Sequence, residues 1–210
     1  MVFPWPVARA RRPLRRRSLL VGASVLWHAV KHSLLSEERG DIRGSRTTAD
    51  AFDSLFQQNE PRIFGYLWRM TGDRQLASDL SQETFLRAWQ HFEKLSVYEN
   101  PLGWLFRVAT NLALDARRGR QRHGWLTNPL DDDSETAGAD PTGSVLDREV
   151  ILHILQGLSP KARAALVLRE VYGLSLGEVA TTLGMTLAAT KKMLSRSREQ
   201  FRLAYLSEGE

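Results

Sequence analysis

The stretch SLGEVATTLGMTLAATKKMLSRSREQFR, residues 175–202, has the pattern of two helices joined by a tight turn. Ser175 and Glu178 form an S-x-x-E capping box, which satisfies the free amides at the start of a helix. Gly184 is typical of a helix end, and Thr186 is typical of the residue that caps a second helix. An apolar stripe at i, i+3, i+4 and i+7 supports the first helix: Leu176, Val179, Ala180 and Leu183.

The second helix of this pair is predicted to have two different faces. The inward face contains Leu187, Thr190, Leu194, Ser197 and Phe201. The outward face is small and basic and contains Ala188, Ala189, Lys191, Lys192, Ser195 and Arg196. This arrangement is typical of a helix-turn-helix, whose second helix enters the major groove of DNA. An ordinary helical hairpin with a solvated basic face fits the periodicity equally well.

Composition narrows the function classes. The 210 residues are enough for one medium domain or two small ones, and no cysteine is present. This excludes a disulfide framework, a thiolate metal site and a cysteine nucleophile. Of the net charge of +5, residues 1–46 carry +7 and the remaining residues carry −2. An argument for nucleic-acid binding must therefore rest on local patches rather than on the overall charge.

Residues 1–46 form a basic N-terminal extension. An arginine cluster at residues 11–17 precedes an apolar run at 18–30, which is too short to cross a bilayer as a helix. The order resembles a signal peptide, but no A-x-A-like cleavage site follows. A membrane-surface helix is the alternative; we expect a non-functional, disordered extension, such as one produced when translation starts upstream of the usual start. His28 and His32 have no third ligand nearby and predict no metal site.

From residue 47 to residue 123 the pattern is that of a helical domain. An apolar stripe that begins at Phe52 is interrupted at Pro61, where we expect a kink or a fresh helix start. Residues 73–95 are predicted to form one long helix. Asn100 and Pro101 are a cap followed by proline at the first helical position, and the helix they start should run to about Gly119.

Two faces in this domain are candidates for binding. The helix at 73–95 carries a strip of acidic, amide and apolar residues: Asp79, Gln82, Glu83, Leu86 and Gln90. This strip is either an ordinary solvent-exposed face or a surface that docks onto a basic helical partner. The next helix carries cations, an amide and an aromatic side chain, the combination that binds the phosphates and stacks with the bases of melted nucleic acid: Trp104, Arg107, Asn111, Arg117 and Arg118. The alternative for the last two arginines is that they complement the dipole of the helix.

The rest of the chain completes the predicted organisation. Residues 124–144 are acidic and rich in helix breakers, which indicates a flexible linker. Residues 145–206 form the second domain, with helices at 145–157 and after Ser159–Pro160 before the opening pair. The fold class is therefore all-α, with two small helical domains. No phosphate loop, H-E-x-x-H or G-x-S-x-G motif is present, so we expect neither an enzyme, a cofactor nor a small-molecule substrate.

Three stretches carry a resemblance to a known family. They are GDRQLASDLSQETFLRAWQHFEKL at 72–95, NPLGWLFRVATNLALDARRGR at 100–120 and LSPKARAALVLREVYGLSLGEVATTLGMT at 158–186. In this order, on either side of a linker, they resemble regions 2 and 4 of the extracytoplasmic-function (ECF) sigma factors of bacterial RNA polymerase. The resemblance covers about two thirds of the chain and implies a cytoplasmic protein that directs core polymerase to promoters.

The resemblance assigns roles to the candidate faces. Docking on the β′ coiled coil of core polymerase is implied for Asp79, Gln82, Glu83, Leu86 and Trp89, although Trp89 also fits the hydrophobic core. Reading of the melted −10 element is implied for the loop at 96–100 and for Trp104, Arg107, Asn111, Asp115, Arg117 and Arg118. Recognition of the −35 element is implied for Thr186, Lys191, Lys192, Arg196 and Arg198. The implied partners are core polymerase, through the β′ coiled coil and the β flap, promoter DNA and, in many relatives, an anti-sigma factor.

The recognition helix departs from the family pattern. The family commonly has a G-T-V-K-S-R-L-like run where this chain has AATKKML at 188–194, so Met193 replaces an arginine and Thr190 a core valine. This changes the expected −35 preference but not the expected fold. Two other functions remain as alternatives: a helix-turn-helix regulator that is not a polymerase subunit, and a membrane-associated interaction protein anchored by residues 1–30.

Overall fold

The computed structural model describes residues 42–122 and 145–208, and these residues form helices and no strands. In chain order, the described helices are α1 (Ile42–Thr71), α2 (Arg74–Gln90), α3 (Phe92–Leu95), α4 (Pro101–Arg122), α5 (Val145–Gly157), α6 (Pro160–Glu170), α7 (Leu176–Leu183) and α8 (Leu187–Ser207). We call α1–α4 the first bundle and α5–α8 the second bundle. The all-helical prediction is confirmed.

The core of the first bundle lies where α1, α2 and α4 meet. Its fully buried side chains include Phe52, Ile63, Tyr66, Leu67, Ala77, Phe85, Leu105, Phe106 and Ala109. Tyr66 and Phe106 pack edge to face with their ring centroids 5.3 Å apart. The buried Tyr66 hydroxyl lies 2.6 Å from Thr110 Oγ1, and Thr110 donates to the carbonyl of Phe106. Every polar atom of this contact therefore has a partner inside the core.

The second bundle packs α6 against both α7 and α8, with α5 lying along α8. Its core contains Ile154, Leu155, Ala164, Ala165, Val167, Leu168, Val179, Leu183 and Leu194. Small residues at Ala164 and Ala165 have no exposed surface, which lets the neighbouring helices approach closely. Thr190 and Ser197 are buried on α8, where their hydroxyls donate to the carbonyls of Thr186 and Met193.

The predicted helix boundaries in the opening stretch are confirmed. Ser175 and Glu178 form both hydrogen bonds of the capping box at the start of α7. Gly184 ends α7 in the left-handed conformation at φ 61°, which glycine adopts without strain. The Thr186 side chain then accepts from the amide of Ala189 at 3.3 Å and caps α8. Asn100 likewise caps α4 by accepting from the amide of Gly103 at 2.8 Å.

Of the two outcomes predicted near Pro61, a kink or a fresh helix start, the fresh start is wrong, because α1 continues through this residue as one 30-residue helix. Pro61 cannot donate to the carbonyl of Gln57, but both residues are exposed, so water can bind that carbonyl. The single helix expected at 73–95 is also wrong. It breaks at His91, whose amide is shared between the carbonyls of Arg87 and Ala88. Such shared hydrogen bonds are common at helix ends.

One residue that was expected to face inward is exposed. Leu187 is 55% exposed on the first turn of α8. Phe201, also expected inward, is half-buried, whereas Thr190, Leu194 and Ser197 are buried as predicted. Helical spacing placed all of these residues on one stripe, but the neighbouring helices cover only the middle of that stripe.

The two bundles also contact each other. Helices α5, α6 and α7 of the second bundle lie against α1 and α4 of the first. The Tyr172 ring, in the turn between α6 and α7, packs 4.9 Å from Phe106 and 6.0 Å from Tyr66. The aromatic core of the first bundle is thus completed by a side chain from the second.

None of the described helices is long and apolar enough to cross a membrane. The predictions for residues 1–41, including the His28 and His32 prediction, and those for the linker at 124–144 lie outside the described residues.

The two serines at the helix starts of the second bundle offer a matched test of this capping. We expect Ser175→Ala to lower the free energy of unfolding by about 1 kcal/mol, because it removes the side-chain acceptor for the amide of Glu178. Ser159→Ala is the control, since Ser159 occupies the cap position of α6 without a side-chain hydrogen bond. Urea denaturation of the full chain measures both changes. Equal losses in the two variants would contradict the role assigned to Ser175.

Candidate functional site

The strip predicted on α2 lies on the outer side of the first bundle. Asp79 is exposed and accepts from Gln75 Nε2 at 3.1 Å, and Glu83 accepts from Arg87 Nε at 2.9 Å. Gln82 and Leu86 are half-buried beside them, while Leu80 and Thr84 on the opposite side are in the core. The ion pair of Glu83 with Arg87 is a weak contact one turn apart, and the donor to Asp79 is a neutral amide, so both carboxylates remain available to a basic partner.

Trp89, at the end of this strip, belongs mainly to the core. Its ring packs edge to face on Phe52 at 5.1 Å, and Phe52 also contacts Phe92 at 5.2 Å. The sequence was compatible with Trp89 as a docking residue or as a core residue. The packing on Phe52 favours the core role, in which Trp89 supports the α2 strip rather than contacting a partner directly.

The predicted nucleic-acid face forms one stripe along α4. The side chains of Arg107, Asn111, Asp115 and Arg118 are all exposed on it. Arg118 Nη2 lies 3.2 Å from Asp115 Oδ1, so these two charges partly offset each other at the C-terminal end of the stripe. Arg107 and Asn111 at its centre therefore offer a cation and an amide of the kind that binds phosphate and base edges.

Trp104 begins this stripe, and Arg117 lies beside it. Trp104 is half-buried, with its ring 6.2 Å from the ring of His91 and inclined to it by 68°. An indole that is partly open can stack with an unpaired base. Arg117 is half-buried, and its positive charge is felt by the buried Arg163. The loop at 96–100 precedes the stripe and carries Val97, a large apolar side chain that is 79% exposed.

On α8 the predicted basic face is exposed. Lys191, Lys192 and Arg196 point outward, and Thr186 caps the helix that carries them. Arg198 differs from these three, because its guanidinium makes two hydrogen bonds to Glu170 of α6, at 2.7 and 3.0 Å. The carboxylate offsets the charge of Arg198, so its pull on a phosphate is weaker than that of its neighbours.

Sequence reasoning missed Leu187 as a surface residue. It lies beside the exposed Ala188 and Ala189 on the first turn of α8, and together they form a small apolar patch. The N-terminal residues of a recognition helix contact base edges, where apolar side chains meet the thymine methyl group. The position directly after the cap at Thr186 was the signal that could have identified it.

Sequence reasoning also missed Arg163 on α6, which is 1% exposed. It donates to the carbonyls of Leu155, Gln156 and Leu158 at the end of α5, to the Gln156 side-chain oxygen and to the carbonyl of Met70 on α1. Burial, and secondly the charge of Arg117, lowers its pKa to about 10, so it remains protonated at neutral pH. No short sequence pattern marks such an arginine.

One polar contact joins the loop at 96–100 to the second bundle. Asn100 Nδ2, at the start of α4, donates to Glu178 Oε1 at 2.7 Å, at the start of α7. Glu178 also accepts from the amide of Ser175 at 2.8 Å. The hydrogen bonds from Ser175, and then the one from Asn100, lower the pKa of the Glu178 carboxyl. Glu178 is therefore ionised at neutral pH and can hold both partners.

Two family models match the chain, one on each bundle. The model of Sigma-70 region 2 matches residues 55–123, and the model of Sigma-70, region 4 matches residues 148–201. Together they cover more than half of the chain, in the order that the sequence predicted. The match identifies the class of the protein as sigma factors, which are transcription initiation factors rather than enzymes.

Curated relatives define the group within this class. The chain is 34% identical to the ECF RNA polymerase sigma factor SigL of Mycobacterium tuberculosis, over 71% of this chain and 86% of the relative. It is 33% identical to SigE of Mycolicibacterium smegmatis, over 77% of this chain but 64% of the relative. The chain belongs to the ECF family of RNA polymerase sigma factors. It spans only 55% of the length of another relative, SigG of Mycobacterium tuberculosis.

A solved structure shares the fold. The sigma factor RpoE from Bartonella quintana, in complex with the anti-sigma factor NepR, superposes with a TM-score of 0.62 at 22% identity. The superposition covers 74% of this chain and 96% of the RpoE chain. This likeness supports the all-helical arrangement of the two bundles.

Proposed function

We propose that this protein binds core RNA polymerase and directs promoter-specific initiation of transcription. The observation that carries the proposal is that both sigma regions are matched in order and that each matched bundle exposes several of the residues predicted to bind, such as Asp79, Arg107 and Lys191. The protein would contribute binding and DNA opening, while catalysis belongs to the polymerase. Its place of action would be the cytoplasm, where polymerase and promoters are found.

Core polymerase would dock on the α2 strip of Asp79, Gln82, Glu83 and Leu86, with Trp89 supporting it from the core. The exposed carboxylate of Asp79 and the partly exposed one of Glu83 lie near the half-buried Leu86 and complement a basic helical surface, as the polar rim of an interface surrounds its apolar centre. In the family this partner is the β′ coiled coil. The second bundle would reach the β flap, so that polymerase holds the protein at two points.

The −10 element would be read on α4 after the strands separate. Arg107 and Asn111 are exposed next to the partly open ring of Trp104, which combines a cation, an amide and a stacking surface. A base that leaves the duplex loses its stacking, and contacts of this kind offset that loss. Asp115, Arg117 and Arg118 would act at the edge of this surface, Asp115 and Arg118 as a paired group.

The −35 element would be read on α8, which would lie in the major groove. Lys191, Lys192 and Arg196 would bind phosphates, while Leu187 and the two alanines after it would meet base edges. Arg198 would contribute less because of its ion pair with Glu170. The replacement of an arginine by Met193 removes one polar contact that the family commonly has, so the sequence preference should differ from that of relatives.

An anti-sigma factor is a further proposed partner. The structural neighbour from Bartonella quintana is bound to one, and family membership extends this expectation to the present chain. A helix-turn-helix regulator that is not a polymerase subunit remains the alternative function. It is not favoured, because it leaves the region 2 match without a role.

The docking strip can be tested with two carboxylates. We expect the double variant Asp79→Ala/Glu83→Ala to weaken binding to purified core polymerase about tenfold, since two charges that face a basic partner are lost. The measurement is a fluorescence titration of core with labelled protein, followed by run-off transcription. The control, Asp50→Ala/Glu199→Ala, removes two exposed carboxylates elsewhere and should bind as the parent does. Equal weakening by both variants would contradict the assignment.

The recognition helix can be tested through the salt dependence of promoter binding. We expect Lys191→Ala or Lys192→Ala to weaken promoter binding by the polymerase complex and to reduce the slope of log affinity against log salt by about one unit. Each lysine that binds a phosphate releases about one counterion, which sets this size. Lys161→Ala, an exposed lysine on α6, should leave the slope unchanged. An unchanged slope in the α8 variants would remove these lysines from the interface.

A further inference from the structure

The first turn of α8 presents an exposed surface made only of apolar side chains. Leu187 is 55% exposed, and Ala188 and Ala189, which follow it, are exposed as well. None of these three side chains can donate or accept a hydrogen bond. The first turn can therefore distinguish one base from another only through shape and apolar contact.

The threonines on either side of this turn form hydrogen bonds within the helix. Thr186 accepts from the amide of Ala189 at 3.3 Å, and the buried Thr190 donates to the carbonyl of Thr186 at 2.9 Å. The exposed lysines Lys191 and Lys192 lie one turn after Leu187 and Ala188, where their flexible, charged side chains suit phosphates. Base readout by the first turn is therefore left to apolar atoms.

The departures of this chain from the family pattern act in the same direction. Where the family commonly has a G-T-V-K-S-R-L-like run, residues 188–194 are AATKKML. Ala189 thus stands in the place of a threonine, and Met193 stands in the place of an arginine. Two side chains that could form hydrogen bonds with DNA are replaced by apolar ones.

Thymine offers the apolar group that such a surface can recognise. Its C5 methyl group projects into the major groove, where the unmodified edges of the other three bases present hydrogen-bonding groups. The first residues of a recognition helix approach the base edges most closely. One helical turn rises about 5.4 Å and base pairs stack about 3.4 Å apart, so the turn faces about one or two base pairs.

We propose that Leu187, together with Ala188 and Ala189, recognises thymine methyl groups in the −35 element, and that these methyl groups set the base preference at the start of α8. This inference rests on the proposed function and deepens it, because it names the chemical group on DNA that the helix reads. Lys191 and Lys192 bind the neighbouring phosphates and hold the apolar turn against the bases.

Deoxyuridine tests the methyl group alone, because it pairs as thymine does and differs from it only by lacking the methyl group. A −35 element is first selected from random duplex DNA with the complex of core polymerase and the full-length protein. We expect this element to contain a thymine whose exchange for deoxyuridine weakens binding of the complex about fourfold, the effect of burying one methyl group. An element without thymine, or equal binding of thymine and deoxyuridine at every position, would overturn the proposal.

Two leucines on α8 give a matched pair of variants for the same measurement. Leu187→Ala should bind thymine and deoxyuridine DNA equally, because the side chain that meets the methyl group is gone. Leu203→Ala is the control, since Leu203 is also 55% exposed but lies about four turns further along α8. It should keep the fourfold preference. A preference that survives in Leu187→Ala, or that disappears in both variants, would count against the proposal.

A second modified base separates the methyl group from the rest of the thymine edge. Cytosine at the sensitive position changes the hydrogen-bonding groups and removes the methyl group, whereas 5-methylcytosine restores the methyl group alone. We expect the parent complex to bind the 5-methylcytosine element about fourfold more tightly than the cytosine element, and Leu187→Ala to bind the two equally. Equal binding of both elements by the parent would mean that other groups of thymine are read.

The outcomes distinguish this inference from the proposed function. Promoter-specific transcription that is insensitive to the thymine methyl groups would overturn the inference and leave the proposed function intact. If the complex selects no sequence and makes no transcript, the proposed function itself is contradicted.

Discussion

The guanidinium of Arg163 is the interaction on which the arrangement of the helices most depends. It is almost completely buried, and its acceptors are the carbonyls at the ends of two helices together with one amide oxygen. Burying an ion costs several kcal/mol unless polar groups around it replace the hydrogen bonds and the charge stabilisation that water provided. Helix C-termini do this, because their free carbonyls carry partial negative charge. One side chain thus fixes the α5–α6 corner and joins it to the end of α1.

The proposed binding surfaces arise because each helix places its apolar residues in the core and its charged and amide residues on the outer face. Helix α2 presents its carboxylates outward while Leu80, Thr84 and Phe85 pack inward, and α4 places Arg107 and Asn111 opposite Leu105 and Ala109. The core therefore positions the proposed surfaces for polymerase and for single-stranded DNA on different helices. The second bundle carries α8, the proposed duplex-binding helix, with Lys191, Lys192 and Arg196 exposed on it.

Local signals in the sequence were sufficient for most helix boundaries. The capping box at Ser175, the glycine turn at Gly184, the cap at Thr186 and the start at Pro101 are all determined within a few residues, and all are confirmed. The exposed positions of Lys191, Lys192, Arg107 and Asn111 also followed from helical spacing.

Features that depend on tertiary contacts could not be predicted in the same way. Helical spacing placed Leu187 inside, but only the position of the neighbouring helices decides how far burial extends along a stripe. The ion pair between Arg198 and Glu170 joins residues 28 positions apart. The role of Arg163 depends on a carbonyl 93 positions away. None of these partners has a signature in the sequence near the residue itself.

The most direct test of the central claim, that this chain gives core polymerase its promoter specificity, is permanganate footprinting of the DNA upstream of its own gene. Permanganate oxidises thymines that have left the duplex. The account predicts permanganate-reactive thymines at the −10 element when core and this protein are present together, with protection from DNase I about 25 base pairs upstream in a parallel reaction, and neither signal with core alone. Duplex protection by the protein without core, and no reactive thymines with it, would contradict the account and identify the protein as a plain DNA-binding regulator.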